Sequence, residues 1–277
     1  MQRRLGLHHL TLKELDPFDF VEVAAASGYD QVSLFTHVPR VPHAGREAMF
    51  VFPVVTPATR REISQRLEAE GLRVVGVEFF LMTQDADLPS YVAGLALGRE
   101  LGARHAVTHV FDLHRARAVE TLGTFADLAA RQELKVCVEF CQLTPGCKSI
   151  QDAAWFVEQV DRANVGVNIC PLHLIRSGGT AADIASLDAH YFVNGQINDG
   201  LGLHMSSDYF AEVHDRELPG DGEFPLQHLL SALPVATPIE VKIPSDRRKA
   251  AGRTALEFAR DAGARSRALV DALQPSR

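Results

Sequence analysis

The stretch Asn168-Ile-Cys170-Pro-Leu-His173-Leu-Ile-Arg176-Ser-Gly178-Gly179 places a thiol, an imidazole and a guanidinium in quick succession after the apolar run Val165–Ile169. Such a run reads as a buried strand, and the edge just past a strand's C-terminus is where α/β proteins bind ligands. Two carboxylates follow the same logic. In Lys135-Val-Cys137-Val-Glu139-Phe-Cys141, period-two geometry puts Glu139 on one face with Cys137 and Cys141. Glu240 and Lys242 share a face of Ile239-Glu240-Val-Lys242, and Gln196 shares one with Asn194 and Asn198. A buried carboxylate is costly unless it is paired, hydrogen-bonded or on a metal. Both mid-strand glutamates therefore call for a cation, either a divalent metal or Lys242 with Arg216. A carboxylate base, a histidine acid and a cation together suit proton abstraction next to a carbonyl.

The elements that would carry these groups recur as strand, loop and amphipathic segment. Strands are expected at Leu5–Leu10, Gln31–Phe35, Leu72–Leu81, Arg104–Phe111, Leu134–Cys141, Val165–Ile169, Tyr191–Asn198 and Ile239–Ile243. Helices are expected from Asp16-Pro17 to Ser27, Ala58 to Glu70, Ser90 to Leu101, Arg115 to Gln132, Ile150 to Asp161, Pro225 to Leu233 and Arg247 to Leu273. A further helical stretch after the sixth strand breaks at Gly178-Gly179. Strands apolar on both faces fit a parallel sheet covered by helices, and eight such units close a (β/α)8 TIM barrel. A doubly wound sheet would need a glycine-rich first turn, which His8-His9-Leu10-Thr11 does not supply. One barrel domain spanning 1–277 is expected.

The net charge of −7 argues against a nucleic-acid or anionic-membrane surface, so the expected partner is a small-molecule substrate. No apolar run reaches the length of a membrane span, and the basic N-terminus lacks the apolar core of a signal peptide. Cys137, Cys141, Cys147 and Cys170 form neither a zinc-type pair nor a secreted disulfide framework, which points to a cytoplasmic protein. The long loop from Val38 to Pro57 contains Met49-Phe-Val-Phe52, a run that either covers a pocket or meets a second copy in a homo-oligomer.

Several pieces, taken in order, resemble the sugar phosphate isomerase/epimerase family of xylose isomerase-like TIM barrels over essentially the whole chain. They are His9-Leu-Thr with Pro17 and Ala24-Ala-Ala-Ser-Gly28-Tyr-Asp, Val138-Glu139-Phe140, the Cys170–Gly179 stretch, Gln196-Ile-Asn-Asp199, Arg216-Glu-Leu-Pro-Gly-Asp-Gly-Glu-Phe-Pro225 and Ile239-Glu240-Val. The resemblance implies a divalent metal held by a glutamate, an aspartate, a histidine and a glutamate from the fifth to eighth strands. The matching positions are Glu139, Cys170, Gln196 and Glu240, so the first and last are kept and the middle two are changed. His173, which follows the sixth-strand ligand, is retained, and Arg216 matches a position that faces substrate. Mg²⁺ and Mn²⁺ favour carboxylate oxygens, whereas a thiolate suits zinc or another softer metal. The changed ligands therefore leave two expectations, a site holding Mn, Zn, Co or Mg and a site holding no metal.

The resemblance implies an isomerase, epimerase or dehydratase-like lyase acting on a small carbonyl compound. Glu139, His173 and Glu240 are the expected catalytic residues, and Arg216, Lys242, His109, His37 and His9 the expected substrate-binding ones. The bland readings stand beside these. Cys170 packs as a small hydrophobe, His173 caps a helix, and the glutamates are structural partners of Lys242. Glu78 fits either pocket or core. The alternative function is a catalytically inactive binding or regulatory TIM barrel.

Overall fold

The computed structural model describes residues 3–38 and 51–273. Eight parallel strands close in sequence order into a barrel, β1-β2-β3-β4-β5-β6-β7-β8. They are β1 (Leu5–His8), β2 (Gln31–Phe35), β3 (Arg73–Met82), β4 (His105–Val110), β5 (Lys135–Glu139), β6 (Val165–Ile169), β7 (Phe192–Ile197) and β8 (Ile239–Val241). Around them run α1 (Pro17–Ala26), α2 (Arg60–Ala69), α3 (Leu88–Glu100), α4 (Arg115–Arg131), α5 (Ile150–Val160), α6 (Pro171–Arg176), α7 (Ala181–Ala185), α8 (Tyr209–His214), α9 (Leu226–Ser231), α10 (Asp246–Ala250) and α11 (Ala255–Ala272). The strands are buried almost throughout because helices cover their outer face and side chains fill the barrel.

Local signals set the helix ends. The Asp16 carboxylate accepts from the Phe18 and Asp19 amides with Pro17 in the first turn, and Ser149 caps α5 through the Asp152 amide. The expected helix from Arg247 to Leu273 is two helices instead. Gly252 takes φ +72° and ends the first, and Thr254 with Glu257 then forms a capping box that opens the second. The first strand is also shorter than expected, since the chain turns into a 3₁₀ segment at His9–Leu12. The loop after β7 carries α8, for which no helix was expected. Among the described residues, no helix is long and apolar enough to cross a membrane.

The barrel interior is cut to fit particular side chains. Register shifts between β6 and β7, where Val167 pairs with Phe192 but Asn168 with Asn194. The unpaired Val193 packs with Val107 and Cys137, across strands that are not all neighbours, and so fills the barrel floor. Gly76 leaves room for His105, whose Nε2 would lie 2.4 Å from an added Cβ. At Gly166 an added methyl would meet the Tyr191 carbonyl at 2.3 Å and Val193 at 2.6 Å. Gly166→Ala is therefore expected to lower stability by about 1–3 kcal/mol through overpacking. Gly123→Ala, inside α4 with nothing nearer than Val160 at 3.9 Å, should raise it by about 0.5–1 kcal/mol. Urea unfolding midpoints of the two variants check both signs.

Candidate active site

Glu240 and Lys242 alternate along one edge, so they point inward at different depths. Glu240 pairs in register with Gly6 on β1 and Gln196 on β7, and its carboxylate stays inside the barrel. One oxygen accepts from Ser33 Oγ at 2.5 Å. The other accepts from Asn194 Nδ2 at 2.8 Å and Gln196 Nε2 at 3.1 Å. Lys242 stands a layer higher, just beyond β8. Its Nζ lies 3.1 Å from Glu78 Oε1 and 3.0 Å from Glu139 Oε2. The ammonium thus joins β3 to β5 across the mouth of the barrel.

Each carboxylate carries its own histidine. His8 Nδ1 accepts the Leu10 amide, which leaves the ring proton on Nε2, 2.9 Å from Glu78. His173 Nε2 lies 3.3 Å from Glu139 Oε1, and His109 Nε2 lies 3.7 Å from Oε2. The other nitrogen of His173 meets the Tyr209 hydroxyl at 2.6 Å, and that hydroxyl lies 3.3 Å from Cys141 Sγ.

Sequence places these groups through loop anchors. Asn198, at the end of β7, accepts the Leu172 amide and fixes the start of α6, where Pro171 occupies the first turn. Arg176 ion-pairs with Glu212 and donates to the carbonyls of Leu201, Gly202 and His204, tying the β7–α8 loop to α6. Tyr209 is delivered by that loop. Arg216 donates its amide to Pro244 and its guanidinium to the Val213 and Lys242 carbonyls, with Nη1 3.6 Å from Cys170 Sγ. Behind it, Asp199 receives the amides of Gly220, Gly222 and Phe224.

The electrostatics follow from burial and pairing. Burial opposes the charge on Glu78, but His8 and Lys242 overcome it and bring its carboxyl to about 2. Burial likewise opposes Glu139, and Lys242, His173 and His109 hold it well below the carboxylate range. Lys242 would lose its proton to desolvation, yet Glu139 and Glu78 keep it raised. Burial disfavours an imidazolium at His173, but Cys141, Cys170 and Tyr209 raise it well above 6.5. Burial would raise the Cys170 thiol, while His173 and Arg216 bring it down to about 6. Desolvation outweighs Glu139 at His109, which falls to about 4 and is neutral at pH 7.

A cleft of about 600 Å³, its open mouth included, lies over this cluster. Glu78, Glu139, His109, His173, Arg216 and Lys242 line it. Of the expected site residues, Glu139, His173, Arg216, Lys242 and His109 therefore come together. Glu240, Gln196 and Cys170 do not reach the cleft. Glu240 and Gln196 are turned to each other one layer down, and Cys170 is buried behind Arg216. His9 is displaced as well, because the chain turns at that residue. Its ring stacks on Phe20 and its Nε2 meets the Leu15 carbonyl, outside the cleft. His37 packs against Phe80 and Tyr91 and lines a separate surface hollow with α3. In the expected apolar loop run, Phe52 lines the cleft and Val51 is exposed, while Met49 and Phe50 lie outside the described residues. Cys141 enters from the face it shares with Glu139, while His8 and Tyr209 enter the site without a spacing signal of their own.

A metal can be tested against these atoms. Among the described residues, Glu139, Cys170 and His173 form the one set of three potential ligands, with ligand atoms within 4.8 Å of one another. Oxygen, sulfur and nitrogen donors suit zinc. The four positions matched to the family's metal ligands do not suit it. Glu240 has both oxygens occupied by neutral donors, and Gln196 turns its amide nitrogen to Glu240, leaving only a carbonyl oxygen unpartnered. The carboxylates also already have a cation. Glu78 and Glu139 share Lys242, with His173 and Arg216 nearby. A divalent ion would bring two more positive charges beside that ammonium.

Removing Lys242 would leave two buried carboxylates uncompensated. Lys242→Met is expected to cost about 3–5 kcal/mol at pH 7, part of it regained on acidification as a glutamate protonates. Thermal melts from pH 5 to pH 8 check this, and an unchanged melt would show that the ammonium is not required. In the unaltered protein, His9, His105 and His109 have pKa values depressed by burial from 6.5 to about 4. The unfolded chain binds these protons first, so their stability contribution is intact above 6.5 and is lost as pH falls toward 4. Melting temperature should therefore begin to drop below pH 6.5, before ordinary carboxylates titrate.

A family model described as xylose isomerase-like TIM barrel matches residues 21–262. No curated protein matches the chain. Among solved structures, a zinc-bound IolI protein superposes with TM-score 0.80 at 16% identity, covering 99% of this chain and 100% of its own. A xylose isomerase domain protein from Alicyclobacillus acidocaldarius gives 0.73 at 20% identity, with 99% of each chain covered. D-psicose 3-epimerase from Clostridium cellulolyticum H10, solved with D-tagatose, gives 0.74 at 15%, covering 98% of this chain and 100% of its own. At these identities the structural neighbours establish the fold alone. The family match, which runs from within the first helix into the last, carries the assignment: the chain belongs to the xylose isomerase-like TIM barrel family.

Proposed function

We propose that this protein is an enzyme that moves a proton next to a carbonyl, as an isomerase, epimerase or lyase, with the Lys242 ammonium taking the electrostatic role of a metal. The observation that carries this reading is the Lys242 bridge between Glu78 and Glu139 at the mouth of the barrel. Neighbours of the same fold include epimerases of small sugars. Glu139 is the base, since Lys242, His173 and His109 favour its carboxylate form and it lines the cleft. So acidic a carboxyl is a weak base, and the reaction must draw its driving force from the opposite side. There the substrate oxygen meets Lys242 and Arg216, which stabilise the growing enediolate charge. His173, an imidazolium held against Tyr209, delivers a proton to that oxygen or to a departing hydroxyl. His109, neutral and beside Glu139, is placed to orient the substrate or relay the abstracted proton.

The test is incorporation of solvent deuterium at the α-carbon of a panel of carbonyl compounds, followed by NMR with chelator-treated protein. Exchange is expected to survive chelation and to fall about 10²–10⁴-fold in Glu139→Gln and Lys242→Met. Because the acid is His173 with its pKa above 6.5, the rate should hold at neutral pH and decline only on the alkaline side. Exchange that vanishes on chelation and returns with zinc would instead assign the chemistry to the Glu139, Cys170 and His173 donor set. No exchange with any compound would favour a binding or regulatory role.

A further inference from the structure

The cleft has a charged side and an apolar wall. The charged side comes from Glu139 on β5 and from His173, Arg216 and Lys242 after it, with Glu78 on β3 and His109 on β4 reaching in. The wall, from β1 to β4 and their loops, is built of Leu10, Phe35, Phe52, Phe79 and Phe111. Leu143, after β5, completes the apolar wall. Five of these six form a hydrophobic cluster separate from the main core, with Phe35 and Phe52 stacked at 4.6 Å and Phe79 edge-on to His109. Among the described residues this cluster packs apart from the main core, and an apolar wall beside a site is suited to a ligand.

The cleft is lined by polar as well as apolar side chains, but many of its polar groups are committed to the protein. Glu78, Glu139, Lys242 and His173 bond to one another, and the Thr144 hydroxyl faces the carbonyls of Cys141 and Cys147. A polyol pressed against the phenyl wall would leave several hydroxyls unpaired, at about 1–3 kcal/mol each. A flat ring would instead gain burial on that wall while one oxygen reached Lys242 and Arg216.

The geometry points to a substrate that carries its enolisable carbonyl on an aromatic or comparably flat apolar ring, the ring lying on the β1–β4 wall and the carbonyl facing β5–β8. The inference rests on the proton-transfer reading for the carbonyl's role, while recognition of the ring is measured by binding alone. Calorimetric titration of the full chain would compare phenylpyruvate with pyruvate, 2-indanone with cyclopentanone, and each with D-fructose. The ring-bearing member of each pair should bind at least about tenfold tighter than its partner and than the sugar. Phe111→Ser, at a partly exposed wall position outside the main core, and Leu143→Ser, which also touches the edge of that core, should each weaken ring binding about tenfold, the first with the melting temperature little changed. Equal or tighter binding of D-fructose, no binding of either aromatic ketone, or ring affinity indifferent to both wall variants would overturn the inference. Tight ring binding without deuterium exchange would support it while removing the proposed chemistry, so the two can fail separately.

Discussion

A protonated amine held between two carboxylates inside a barrel is the arrangement on which the rest of this site turns. None of the three charges would be tolerable there alone. Lys242 makes Glu78 and Glu139 affordable, and they in turn keep its proton in place. The second partners follow from the same need. His8 meets the same Glu78 oxygen as the ammonium, His173 meets Glu139 Oε1, and Tyr209 then meets the other nitrogen of His173. Closure of the barrel supplies the geometry, because β3, β5 and β8 are brought to one mouth only when all eight strands pair in order.

Beneath this charged layer the barrel solves a different problem with neutral groups. Glu240 is satisfied by a hydroxyl and two amides, not by a cation, and Gly6 and Gly76 give Glu240 and His105 the space they occupy. Above it, the loops are pinned by single buried side chains. Arg176 ties the β7–α8 loop to α6, and Asp199 gathers the turn that follows Arg216. Precision at the mouth is thus a property of three levels, a packed floor, a charged ring and anchored loops.

The sequence made the barrel legible because alternating strands and capped helices are local, and each local preference agrees with the whole. Glu139, His173, Arg216, Lys242 and His109 were among its expected site residues, and the five line one cleft. Depth was not legible. Period two says that Glu240 and Lys242 share a face, but not that a strand of three residues puts one below the site and the other in it. His9 misled for a related reason, since the strand ended at His8 and the next residue rotated away into a 3₁₀ turn. Tyr209 was out of reach because its place depends on a loop anchored by Arg176, a contact between residues far apart in the chain.

The two changed positions make sense together once charge is counted. The resemblance implies two glutamates and an aspartate around a divalent ion, with a neutral histidine as fourth ligand. On the proposed reading, an ammonium in the electrostatic role of that ion carries one positive charge fewer and needs no set of four convergent donors. Gln196 in place of the histidine fits the second loss, since its amide donates to Glu240 from a position that no metal has to share. Cys170 in place of the aspartate makes the charge at that position conditional. A thiol carries its charge only because His173 and Arg216 flank it, so its ionisation adjusts to the cations present, whereas an aspartate would impose its own. Cys170→Asp would therefore exchange a charge that can be given up for one that cannot, with the count at neutral pH unchanged.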